Sequence, residues 1–149
     1  MNQNEFEAIL ADPTKLISGD IGWSEDKKHP PTVIFSIEVT SQIGYTLSIK
    51  GSYNPAAQRL TYALIHPDFG RIYGLDMGKN HRNPSGNKVG RKHKHRWIEQ
   101  LGDQEAYVPE DIVAPVTDPV TVWQQFCSES FIRHDGVMHS PPTLQLERS

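Results

Sequence analysis

Four runs in the first half of the chain alternate apolar and polar residues. "TVIFSIEVT" sets Val33, Phe35, Ile37 and Val39 against Ile34, Ser36, Glu38 and Thr40. "YTLSIKGSY" sets Tyr45, Leu47, Ile49 and Tyr53 against Thr46, Ser48, Lys50 and Ser52. "RLTYALIH" brings Leu60, Tyr62 and Leu64 to one side, and "RIYGLD" supplies Ile72, Tyr73 and Leu75. Period-two alternation is the pattern of strands with one buried and one wet face. The connectors "SQIG", "NPAAQ" and "HPDFG" suit hairpins, the last with Pro67 and Gly70 where a type I turn prefers them. The expectation is an antiparallel meander of four strands.

Helical spacing appears only at the two ends. Asn4 to Ala11 places Phe6, Ile9 and Leu10 on one side, and Asp12-Pro13 stops it. "TDPVTVWQQFCSESFIRHDG" predicts a longer helix capped by Asp118 or Thr117, with Pro119 in its first turn. Its buried stripe is expected to be Val120, Trp123, Cys127 and Phe131, and Gly136 ends it. "ISGDIGWSEDKKHPPT" reads as an irregular connection, and "YVPEDI" as a helical turn with Pro109 at its first position. The predicted class is α+β: an antiparallel four- or five-stranded sheet with an N-terminal helix and a C-terminal helix packed on one face. Residues 1–138 are expected to form one domain and 139–149 a flexible tail.

After Asp76 the alternation stops for about fifteen residues, long for a structureless connection in a small domain. A short strand, "RKHKHRWI", is expected to close the gap. Composition makes this region the centre of interest. The 149 residues carry a net charge of −3, yet Lys79 to Trp97 holds seven of the fifteen basic residues, three of the seven histidines and no acid. From Glu99 onward nine acids face only Arg133 and Arg148. The basic segment therefore either folds back onto the acidic C-terminal part or serves an anionic partner. The single cysteine, Cys127, forms no internal disulfide and fits a reducing compartment; with no secretory signal or membrane-length apolar run visible, a cytoplasmic protein is expected, with no membrane partner.

In an extended "KHKHR", His93 and His95 share one face, and Lys92, Lys94 and Arg96 the other. Gly86 and Gly90 let the preceding loop return His81 and Arg82 to the pair. Three readings follow. In the leading one, RNA is cleaved without metal or other cofactor: His93 and His95, with His81 in support, act as general acid and base. Arg82, Arg91, Lys92, Lys94 and Arg96 then hold phosphate, and Tyr73 or Trp97 stacks on a base. His66 is a further substitute for either catalytic histidine. In the second, His93 and His95 are half of a zinc site with His81 as third ligand, although flanking cations oppose a dication. In the third, the segment is a non-catalytic surface that docks onto nucleic acid or an acidic partner protein.

The histidine element carries a resemblance. A four-strand meander, a loop histidine, "GRKHKHRW" and a C-terminal helix together resemble the toxin-like proteins of bacterial toxin–antitoxin modules related to TumE. Those proteins bear a His-Lys-His element after a polar, proline-containing loop. The matching residues are His93, Lys94 and His95, with His81 and Pro84 standing for the loop, over Leu60 to Phe131. The usual tyrosine-aspartate start of that loop is replaced by "YGLDMGKNH", where Tyr73 and Asp76 are separated. "HRNPSGNKVGRKHKHRW" with "YVPEDI" is also similar to a family of short bacterial proteins with no assigned function. The toxin resemblance implies an RNA-directed toxin neutralised by a cognate antitoxin protein.

Other residues read as structural. Trp23 is expected to anchor on the sheet, Cys127 to fill the core and His66 to serve a turn. His29, His134 and His139 fall in loops or at a helix end. Asp103 and Glu105 would accept a proton or fix an imidazole tautomer if they came near the histidines.

Overall fold

The computed structural model describes residues 1–142, and two layers make up the fold. The first is an antiparallel sheet built on the expected meander: β3 (Val33–Val39), β4 (Leu47–Asn54), β5 (Arg59–His66) and β6 (Gly70–Met77). Short strands extend it at both edges, with β2 (Ser24–Glu25) beside β3, and β9 (Lys92–Arg96) then β10 (Ala106–Tyr107) beyond β6. The sheet thus has seven strands rather than four or five. The extra ones are two to five residues long, too short to show a period in the sequence.

The second layer is α1 (Gln3–Ala11), α2 (Pro119–Glu129) and a parallel pair, β1 (Lys15–Ser18) with β11 (Ile132–Asp135). The predicted α+β class, with both helices, holds. The C-terminal helix is shorter than its apolar spacing suggests. Asp118 caps it through Thr121 N–H and Pro119 lies in its first turn, but it stops at Ser130. Phe131 adopts φ of +57°, a left-handed turn that ends the helix and sends "IRHD" into β11. Phe131 is accordingly exposed, and the buried stripe is Val122, Trp123, Phe126 and Cys127. The stretch expected to be irregular likewise contains the end of β1 and the whole of β2, and "YVPEDI" forms no helical turn.

One face of the sheet meets this second layer. Phe35, Tyr62, Trp123 and Phe126 make an aromatic cluster whose ring centroids lie 5.1–6.3 Å apart, each pair worth about 0.5–1.5 kcal/mol beyond its buried area. Trp23 anchors at its rim, edge-on to Phe35 at 5.0 Å, as expected. Its indole N–H bonds the carbonyl of His139, whose own N–H bonds Ile21. Residues 143–149 of the expected tail lie outside the described residues.

The end of α1 is tied to the sheet by a buried carboxylate. Asp12 accepts from Thr14 N–H (2.8 Å), Thr14 Oγ1 (2.6 Å) and Ser41 Oγ. Burial pushes its carboxyl up, but these bonds and the nearby Lys15 charge outweigh that and hold it below the ordinary range. A carboxyl depressed on folding stabilises above its unfolded pKa and loses that contribution as pH falls through the folded value. Asp12→Asn is expected to cost about 1–3 kcal/mol at pH 7. The gap from wild type, read by urea unfolding at a series of pH values, closes as pH drops below the model-peptide value of 3.8.

Candidate functional site

The other face of the sheet is free of helices, and strand alternation selects what it shows. Across β6 and β9, Tyr73 pairs with Arg96, Leu75 with Lys94 and Met77 with Lys92 on the helix side. Gly74 pairs with His95, and Asp76 with His93, on the open side. Asp76 also lies opposite Thr61 of β5, whose hydroxyl donates to Oδ1 at 2.7 Å. Period-two geometry thus gathers Thr61, Asp76, His93 and His95 on one surface.

A β-bulge adds an arginine. Register shifts after Leu64, so Ile65 faces Arg71 while Ile72 and Tyr73 both bury toward the core. The extra residue turns Arg71 to the open side, the re-aiming that bulges produce beside functional sites. Its side chain crosses Gly74, where a Cβ would sit 3.1 Å from Arg71 Cδ. The guanidinium then bonds Asp76 Oδ2 (3.2 Å) and Asp103 Oδ2 (2.7 Å).

The loop after β6 folds over this surface as a small hairpin, β7 (His81–Arg82) with β8 (Lys88–Val89), turned by Gly86 at φ +93°. Asn83 fixes it by donating to the Ala106 carbonyl and accepting from Ala106 N–H, both at 2.8 Å. That clamp delivers His81 to the other two rings. Centroids are 4.6 Å apart for His81–His95, 5.0 Å for His93–His95 and 5.4 Å for His81–His93. One ring nitrogen from each lies within 4.8 Å of the others.

Each ring is oriented by a backbone carbonyl: His93 Nδ1 to Gly90 (3.0 Å), His95 Nδ1 to Asp103 (2.6 Å) and His81 Nε2 to Gln104 (2.8 Å). A carbonyl only accepts, so these nitrogens carry the proton, and the opposite nitrogens of His93 and His95 face Asp76. His93 Nε2 and His95 Nε2 reach the same oxygen, Asp76 Oδ2, at 3.4 and 3.3 Å. Burial pushes the Asp76 carboxyl up, but His93 and His95, when they carry a proton on Nε2, together with Thr61 and Arg71 hold it well below the usual carboxylate range. His93 and His95 are buried, so the two rings are tied to one carboxylate and do not present two independent proton carriers. The cluster floors a cleft of about 470 Å³ whose mouth is lined by Lys79, His81 and Arg82.

The structure therefore brings together His81, His93, His95 and Arg82. The remaining expected site residues lie elsewhere. Lys94 is fully buried on the helix side, bonded to Glu129 (2.6 Å) and Asp111 (2.8 Å). Lys92 donates to the Ile112 carbonyl, and Arg96 pairs with Glu7 of α1. Arg91 bonds Gly78 outside the cleft lining. Tyr73 is buried and donates to Glu129, while Trp97 packs on Phe69 and donates to Met1. The physical reason is the alternation itself: a strand that pairs His93 with His95 must send Lys92, Lys94 and Arg96 to the opposite face. Asp76, Arg71, Lys79 and Thr61 were not among the expected site residues. Asp76 was legible as a polar residue ending a strand, two positions beyond Gly74 on the same face. Arg71 had no signal, since it depends on the bulge. Asp103 takes part through its carbonyl on His95 and its carboxylate on Arg71.

The fold and cleft define an α+β protein with a histidine–carboxylate centre on the open face of an antiparallel sheet. The chain belongs to the DUF6978 family, a family of unknown function whose model matches residues 1–132. That stretch contains the whole sheet, the cleft and α2. No curated protein and no solved structure matches the chain.

The two faces of β9 make separable predictions. Lys94→Met leaves the Glu129 carboxylate, already pushed up by burial, without its ammonium partner. It is expected to cost about 3–5 kcal/mol in urea unfolding, the scale for breaking a buried pair. A loss under 1 kcal/mol would mean the amine is not committed to the fold.

Proposed function

We propose that the cleft is the active site of an RNA-directed phosphodiesterase, an endoribonuclease of the type the TumE-like resemblance implies, restrained in the cell by a protein antitoxin. The observation that carries this reading is the meeting of three imidazoles and Asp76 in a cleft rimmed by Arg71, Lys79 and Arg82. Cleaving a phosphodiester needs groups that move protons and a positive environment for charge building on the phosphate. His81 at the mouth and the His93–His95–Asp76 cluster as a unit supply the first, and Arg71, Lys79 and Arg82 the second. Lys79 and Arg82 are exposed on a loop with no acid between Met77 and Ile98, so the mouth attracts a polyanion. The cleft opens on a sheet face bounded by a loop, which admits a single strand more readily than a duplex. Among the described residues no helix is long and apolar enough to cross a membrane. A cytoplasmic RNA is the substrate class this reading names.

The test is cleavage of end-labelled single-stranded RNA by purified protein, with folding of each variant checked by thermal melting. His81→Ala, at the half-exposed mouth, is expected to lower the rate about 10²-fold or more, the scale of a lost proton-transfer or charge-stabilising group. Arg96→Ala, on the far side of β9, leaves the rate unchanged. Binding should weaken with salt, and Arg82→Ala should reduce the slope of log affinity against log salt by about 0.7. RNA binding with that slope but no cleavage makes the protein a non-catalytic binding module. Neither binding nor cleavage removes RNA as the ligand.

A further inference from the structure

The way the three histidines are held points beyond an anion site. We infer that His81, His93, His95 and Asp76 form a binding site for a divalent transition-metal ion of the zinc type. This concerns binding alone and stands apart from the RNA reading.

Four observations carry it. First, each imidazole donates one N–H to a backbone carbonyl, of Gly90, Asp103 or Gln104, which leaves its other nitrogen as a ligand, and those of His93 and His95 turn toward Asp76. That outer bond, which fixes the tautomer and aims the lone pair, is the habit of metal-ligating histidines. Second, one nitrogen of each ring lies within 4.8 Å of the others, and Asp76 Oδ2 adjoins those of His93 and His95; three nitrogens with that oxygen make a donor set that suits zinc.

Third, the spacings fit an ion better than direct bonds. A charge-assisted N–H···O⁻ bond closes to about 2.7–2.9 Å. The His93 and His95 nitrogens stand 3.4 and 3.3 Å from Asp76 Oδ2. Two ligand atoms each about 2.0–2.1 Å from a tetrahedral ion are separated by about 3.3–3.4 Å. The 4.8 Å limit on the imidazole nitrogens exceeds that edge. His81, on a two-residue strand at the cleft mouth, is the ligand able to move in.

Fourth, the charge at the floor admits a dication. Arg71 is shared between two carboxylates, Asp76 and Asp103, so with neutral imidazoles these groups together are anionic. The strand cations that would oppose a metal, Lys92, Lys94 and Arg96, are on the other face of the sheet and paired there. Lys79 and Arg82 remain at the mouth and lower affinity without blocking the site.

The test uses the full chain, stripped with a chelator and titrated with Co²⁺ as a spectroscopic stand-in for zinc. One equivalent is expected to develop the intense visible d–d bands of a four-coordinate ion, and Zn²⁺ to bleach them. His81→Ala, which removes a half-exposed ring, should weaken cobalt affinity by about 100-fold or more while the protein still melts cooperatively. His93→Ala/His95→Ala should abolish the bands; if that variant does not fold, His81→Ala decides. A wild-type chain that shows no bands and retains no zinc by elemental analysis overturns the inference. So do bands that are identical in wild type and His81→Ala, since they would report His29, His66, His134 or His139. Cobalt binding without RNA cleavage keeps the metal site and rejects the nuclease. Cleavage by metal-free protein that never binds cobalt does the reverse.

Discussion

The register between β6 and β9 is the constraint on which the site depends. It places Asp76 opposite His93 and Leu75 opposite Lys94. Because side chains change face at every residue, a slip of one position would put both imidazoles under the helices and Lys94 on the open surface. Two features resist that slip. On the helix side, Lys94 donates to Glu129 and Asp111, and Tyr73 donates to the same glutamate, so the lysine has partners at only one depth. On the open side, the two imidazoles meet a carboxylate already anchored by Thr61 and Arg71. Ion pairs as buried as Lys94–Glu129 are poor sources of net stability, because desolvation offsets most of the Coulombic gain. Their effect here is to make the wrong register costly.

The loop from Gly78 to Arg91 depends on that same register. Its ends leave and rejoin adjacent strands, and Gly78 N–H bonds the Arg91 carbonyl across its neck. Gly78 adopts φ of +90°, and a Cβ there would lie 2.2 Å from the Gln58 carbonyl, so only glycine allows the chain to leave β6 at this angle. From that neck the hairpin can reach only the open face, and the Asn83–Ala106 clamp sets how far it lies over β9 and β10. His81 is therefore brought to the cluster by the Asn83 side-chain clamp two residues away and by its own ring's bond to the Gln104 carbonyl, not by any attraction between rings.

Most of the fold was legible because it rests on period-two and helical patterns that the chain states openly. The four meander strands, α1 and the start of α2 are of this kind. What was not legible comes from single positions that break a pattern. Phe131 continues the apolar spacing of α2, yet its left-handed backbone stops the helix and frees "IRHD" to pair with β1. The bulge at Arg71 and Ile72 exists only in the alignment of β5 with β6. In the candidate site, the three histidines and Arg82 were readable from type and spacing. Lys92, Lys94 and Arg96 were expected to hold phosphate beside the histidines, although the alternation that pairs His93 and His95 assigns them to the other face; Arg91, Tyr73 and Trp97 also lie outside the cleft lining.

That division of charge answers the choice the sequence posed between a segment neutralised by the acidic C-terminal part and one facing an anionic partner. The segment divides: its strand cations are neutralised within the fold, and its loop cations stay exposed. The strand cations are spent internally: Lys94 on Asp111 and Glu129, Arg96 on Glu7, Lys92 on the Ile112 carbonyl. The loop cations Lys79, Arg82, Lys88 and Arg91 are exposed. On the helix side, Asp111 and Glu129 of the C-terminal region neutralise Lys94, and Glu7 of α1 neutralises Arg96. Of the loop cations, Lys79 and Arg82 line the cleft that holds the imidazoles. A uniformly basic strand on the open face would have repelled a metal and held phosphate wherever it landed. Splitting the charge leaves a floor of imidazoles and a carboxylate beneath a mouth that carries Lys79 and Arg82.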